Sequence, residues 1–85
     1  MREKHTFAVL SFASTAAAIE TESWCHEHGV PGRLIPLPEE ISAGCGLAWR
    51  MEPEEWEQYR ADMENAGLPF ETMTPVRQWM VRREA

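Results

Sequence analysis

The chain repeats itself, and the repeat fixes most of what it can fold into. Gly29-Val30-Pro31 and Gly67-Leu68-Pro69 match at an offset of 38 (67 − 29). Carried through the sequence, that offset brings Ser14 onto Glu52, one residue before Pro53. Serine is a favoured helix N-cap and proline is favoured at the first helical position, so two helices start in register. Ala18, Thr21, Cys25 and His28 fall on Trp56, Tyr59, Met63 and Ala66. The spacing i, i+3, i+7, i+10 is one face of a helix. The opposite face of the second helix is charged, with Glu54, Glu57, Arg60 and Glu64. Each helix ends at a glycine suited to the left-handed C-cap.

Strands are expected on either side of each helix: His5 to Ser11, Gly32 to Pro36, Gly46 to Arg50 and Phe70 to Thr74. The order is β-α-β-β-α-β, the ferredoxin-like arrangement: an α+β two-layer sandwich with an antiparallel sheet and both helices on one face. At 85 residues the chain reads as a single domain, 1–85, with its core over 5–74 and a C-terminal extension over 75–85. Thr74 and Pro75 would cap and start a short helix in that extension. Phe7, Val9, Leu47 and Trp49 must share the two sheet faces. The face without helices therefore needs a cover, either the extension anchored by Trp79 and Met80 or a second copy in a homodimer. In this topology the third strand begins at the sheet edge where the first one ends, which brings Cys45 to the start of the first helix, near Ser11, Ser14 and Thr15.

The net charge of −6 argues against nucleic acid, whose phosphates need a basic face. Acidic residues gather between Glu52 and Glu64 as a solvated helix face, and basic ones at the end, in Arg77, Arg82 and Arg83. The run from Phe7 to Ala18 imitates a signal peptide. Ser11, Ser14 and Thr15 interrupt it and Glu3 spoils the basic start, so a cytoplasmic location is expected. No apolar stretch is long enough to span a membrane. Cys25-His26-Glu27-His28 looks like a ligand set, but on a helix Cys25 and His28 share the buried face while His26 points elsewhere, so no metal is expected and His28 should be half-buried. Trp24 and Trp56 read as packing residues. Neither a phosphate loop nor a Ser-His-Asp set is present, which suits a binding protein better than a stand-alone enzyme.

The chemistry rests on Gly44-Cys45-Gly46. A cysteine between glycines has no neighbouring side chain to shield it, and glycines reach backbone angles closed to other residues. That describes a presented thiol. The start of the first helix would favour its ionisation, Glu39 and Glu40 in the same loop would oppose it, and Lys4, Arg33 and Arg50 fall at the far end of the sheet. The same residues also fit a tight turn with a small buried cysteine at its mouth. Ser42 either hydrogen-bonds the sulfur or caps a turn. A third option joins Cys45 to Cys25 or a histidine as a redox or metal site. On the residues alone these options stay open.

The stretch Arg33-Leu34-Ile35-Pro36-Leu37-Pro38-Glu39-Glu40-Ile41-Ser42-Ala43-Gly44-Cys45-Gly46-Leu47-Ala48-Trp49-Arg50 resembles the signature of small bacterial proteins described as putative selenium/sulfur carrier protein-like. The similarity spans roughly residues 5 to 74, and Ile41-Ser42-x-Gly44-Cys45-Gly46 is its specific part. The resemblance implies that Cys45 carries sulfur or selenium as a persulfide or selenopersulfide, with Ser42, Gly44 and Gly46 as its motif neighbours. It implies no cofactor beyond that covalent atom. The partners it implies are a donor such as a cysteine desulfurase and an acceptor protein. Glu39 departs from the family, whose members often carry a basic residue there. The alternative function is a non-catalytic ferredoxin-like interaction or regulatory module in which the Cys45 loop is structural.

Overall fold

The computed structural model describes residues 2–81 of the chain. The elements are β1 (Arg2–Phe12), α1 (Thr15–Glu27), β2 (Arg33–Pro36), β3 (Leu47–Met51), α2 (Pro53–Asn65) and β4 (Phe70–Val81). The strands form one antiparallel sheet in the order β2-β3-β1-β4. This is the expected ferredoxin-like α+β sandwich.

The repeat is clearest at the helix ends. Ser14 caps α1, its Oγ accepting the Ala17 N–H at 3.2 Å. Glu52 and Glu55 form a capping box on α2, with Pro53 at the first position. Both helices close with the same pair of bonds. Val30 N–H reaches Cys25 O and Gly29 N–H reaches His26 O, while Leu68 N–H reaches Met63 O and Gly67 N–H reaches Glu64 O. That pattern is the Schellman motif, which requires a left-handed residue just past the cap. Gly29 and Gly67 both supply it, at φ 68°. On the inner helix faces Ala18, Thr21, Cys25, Trp56 and Met63 are buried and Tyr59 half-buried. His28 is exposed instead of half-buried, because it sits at the C-cap and lies flat on Trp24, ring centroids 4.0 Å apart.

Strand alternation sorts the sheet into two buried clusters. Ala8, Leu10, Phe12, Trp49 and Met51 face the helices with Ala18, Cys25, Trp56 and Met63. Phe7, Val9, Ile35, Ala48 and Val76 form the second cluster on the other face. Among the described residues its cover comes from within the chain, upstream of the C-terminal extension. The connection from β2 to β3 folds back across it, placing Ile41 in the cluster and Leu37 against it. Leu37 N–H donates to Gly46 O at 2.9 Å and Ile41 N–H to Pro38 O at 3.0 Å, which holds the connection down. An apolar face of this size has to be covered, and the connection already carries Leu37, Pro38 and Ile41 for the purpose.

The expected helix at Thr74-Pro75 is a strand. β4 runs on through Pro75 to Val81, pairing with β1 as far as its outer end. Arg82, Arg83 and the rest of the expected extension lie outside the described residues. Proline is admitted here because β4 is an edge strand, whose outward-facing N–H groups have no ladder partner. β3 meets β1 only over Ala8 to Ser11, so the rest of the β1–β4 pair continues as a two-stranded ribbon. Trp79 lies on that ribbon, 59% exposed, with Lys4 Nζ 5.5 Å from its ring. Between Leu10 and Phe12 the register shifts so that two residues of β4 oppose Ser11. Such a bulge increases the local twist.

Candidate functional site around Cys45

β1 and β3 are neighbours and antiparallel, so the end of one meets the start of the other. Cys45 N–H donates to Phe12 O at 3.3 Å, which ties the segment leading into β3 to the last residue of β1. Gly44 presses against the next peptide: a Cβ built there would lie 2.5 Å from Ala13 O. The side chain of Cys45 then turns toward the first turn of α1. Its Sγ accepts the Leu47 N–H at 3.3 Å and stands 3.6 Å from Thr15 Oγ1.

Of the residues expected beside the thiol, Thr15 meets it. Ser14 is next to Thr15 but its hydroxyl is committed to the α1 cap. Ser11 is buried and its hydroxyl pairs with Thr72 Oγ1 at 2.9 Å across the bulge. Ile41 packs on the opposite face of the sheet. Ser42 is exposed and makes no side-chain hydrogen bond among the described residues. The groups that do hold Cys45, the Phe12 carbonyl and the Leu47 N–H, are backbone groups that no residue type announces.

The glycine frame does not leave the thiol open. Cys45 is 3% exposed and belongs to the helix-side core with Phe12 and Ala17. Neither Gly44 nor Gly46 uses a left-handed backbone angle. Gly44 is required for close approach to Ala13, while a Cβ on Gly46 would meet nothing within 4 Å. The cysteine is therefore turned inward by its loop and shielded by the helix it adjoins.

The electrostatic setting is sparse. Glu39 and Glu40 are exposed in the covering connection. Arg33 and Arg50 pair with each other toward the other end of β3, and Lys4 is on the outer ribbon. The local partners of the sulfur are thus an N–H, a hydroxyl and the start of a helix.

Cys25 plays no part in the site. It is fully buried, and burial pushes its thiol up to about 11 from the ordinary 9.0. It lies ten residues along α1 from Thr15, roughly 15 Å at the helical rise. A disulfide needs Cα atoms within about 7 Å, and both cysteines are free. His26, next in sequence, is exposed and lies edge-on to Trp49. The option joining Cys45 to Cys25 or to these histidines therefore fails on distance.

No curated protein and no solved structure matches the chain. One family model does, over residues 7–75, from the start of the buried part of β1 to Pro75 in β4. With the Cys45 motif inside the matched span, the chain belongs to the putative Se/S carrier protein-like family.

Proposed function

We propose that the protein carries sulfur or selenium on Cys45, as a persulfide or selenopersulfide, between a donor protein and an acceptor thiol. The observation that carries this reading is the setting of Sγ. It sits at the first turn of α1 with the Leu47 N–H directed at it, in a chain whose other thiol is sealed in the core. An N–H and a helix start stabilise the negative charge that develops on Sγ when an acceptor attacks the outer sulfur and Cys45 leaves.

The chemistry is thiol–disulfide exchange with an extra chalcogen. The Cys45 thiolate attacks the outer sulfur of a donor persulfide. The donor S–S bond breaks, a new S–S bond forms on Cys45, and the donor leaves as its thiolate. An acceptor thiolate then attacks the same outer sulfur and releases Cys45 as thiolate, so no net oxidant or reductant is consumed. With selenium, the outer atom is selenium. A cysteine desulfurase is the class of donor that holds such a persulfide, and the reducing cytoplasm is where a free carrier thiol persists. Because Cys45 is covered at rest, transfer requires the segment from Ser42 to Gly46 to lift, and the glycines give that segment its freedom.

The test is an intact mass after incubation with a cysteine desulfurase and cysteine. A gain of one sulfur, reversed by dithiothreitol, is expected on wild type and absent from Cys45→Ser. No gain, or an equal gain on the variant, overturns the reading. The burial of Cys45 favours a second reading, a binding module in which it is a small core residue. That module would take up no sulfur, and Cys45→Ser would leave partner binding unchanged.

A further inference from the structure

The register of β2 on β3 places Arg33 directly opposite Arg50. Two residues along, Ile35 opposes Ala48 in the cluster beneath the covering connection. Alternation along both strands puts the two arginines on that same face. Like charges facing each other across a ladder are destabilising. Burial, and then the neighbouring Arg33 charge, press Arg50 below the ordinary arginine value.

The pair is held apart from the usual remedy. Neither guanidinium has a carboxylate within 4.0 Å among the described residues. Glu52 and Glu55 line the same pocket, but both are engaged. Glu52 Oε1 is 2.6 Å from His5 Nε2, and Glu55 Oε1 accepts the Glu52 N–H at 2.9 Å in the capping box. Glu52 still reaches Arg50 through its field, which favours the charged guanidinium. Arg50 is fixed in place over the Phe7 ring, 4.2 Å from its centroid, and donates through Nη1 to Gln78 Oε1 at 3.1 Å. Arg33 is exposed and its side chain makes no hydrogen bond among the described residues. Between them opens a pocket of about 270 Å³ walled in part by Phe7 and Gly32.

We propose that Arg33 and Arg50 form a binding site for a small tetrahedral oxyanion of the phosphate class. Two guanidinium groups on adjacent strands line one pocket and together carry more N–H donors than a carboxylate can accept, which suits an anion with three or four oxygens. The pocket lies at the low end of the range for small-molecule sites, so it admits inorganic phosphate or a small phosphate ester. It lies toward the opposite end of β3 from Cys45, and the inference does not depend on sulfur transfer.

The test is titration of the whole protein with inorganic phosphate at constant ionic strength set by sodium chloride. It is followed by NMR of the arginine side chains and of the amides of residues 32–34 and 49–52, with a thermal melt alongside. Saturable shifts and a melting temperature that climbs with phosphate are expected on wild type. Arg33→Gln should weaken binding at least tenfold. The Arg33 side chain has no hydrogen bond or ion pair among the described residues to lose, so this variant stays folded, and Arg50→Gln provides a second weakening. Shifts that never saturate, or equal affinity in Arg33→Gln, would overturn the proposal. Acetate binding as tightly as phosphate would overturn the tetrahedral assignment.

Discussion

Gly44 and Gly46 look interchangeable in the sequence, and alanine at each should separate them sharply. At Gly44 the new Cβ would lie 2.5 Å from Ala13 O, a backbone atom at the turn into α1. Ordinary contact is close to 1 Å farther away, so either the segment carrying Cys45 or the end of β1 has to move. Overpacking of this kind costs about 1–3 kcal/mol, offset by roughly 0.4–1 kcal/mol from removing a glycine from the unfolded chain. The net loss is about 1–2 kcal/mol, which for a domain of this size lowers the melting temperature by about 4–16 °C. At Gly46 the Cβ meets nothing and the backbone is not left-handed. Gly46→Ala should therefore gain about 0.4–1 kcal/mol and melt a few degrees higher. Thermal melts give the stabilities, and the rate of Cys45 reaction with an aromatic disulfide reports the loop. Gly44→Ala should react faster than wild type, because the displaced segment uncovers Sγ. If Gly44→Ala melts with wild type, or both variants lose stability alike, the packing account of this motif is wrong.

Three further outcomes follow from other parts of the molecule. In the unfolded chain Cys25 ionises near its ordinary 9.0, whereas the folded chain keeps the proton until about 11. Its contribution to stability is therefore full below about pH 9 and is lost as pH rises through 11, so the melting temperature should fall over that window more steeply in wild type than in Cys25→Ala. Ser14→Ala removes the α1 cap and should cost about 1 kcal/mol, or about 4–8 °C, with no comparable loss at the exposed neighbour Ala16→Ser. Ile41→Ala strips the cover from Phe7 and Val9 and should cost about 2–3 kcal/mol in denaturant unfolding, since Ile41 is 9% exposed and at the rim of its cluster.

What the sequence disclosed was governed by local chemistry. Ser14, Pro53, Gly29 and Gly67 act on backbone within a few residues of themselves, so the helices and their ends were legible. The sheet order followed from the repeat, and with it the meeting of Cys45 with Thr15. Apart from His28, whose exposure follows from its place at the end of α1, the misreadings were long-range. Thr74-Pro75 has the form of a helix start, but the outer half of β1 offers a partner strand that no local signal reveals. Ile41 belongs to the loop that carries Cys45, and only the fold shows that its side chain packs on the sheet face away from the thiol. The sequence left a presented and a buried Cys45 both open, because Phe12 and Thr15, which surround it, are brought in by the fold.

The pairing of β1 with β4 also sets a schedule. Of the four strands of the sheet β1 is synthesised first, lies inside the sheet and needs two neighbours, yet β4 on its outer side comes after the other three. During translation, β1 therefore waits with one edge bare until Phe70 to Val81 have been released. Contacts so distant in sequence form slowly, and a bare strand edge is the part of a nascent chain most prone to pair with the wrong neighbour. Lys4 and His5, which flank the apolar run of β1, put polar side chains on the stretch of strand that waits longest for its partner.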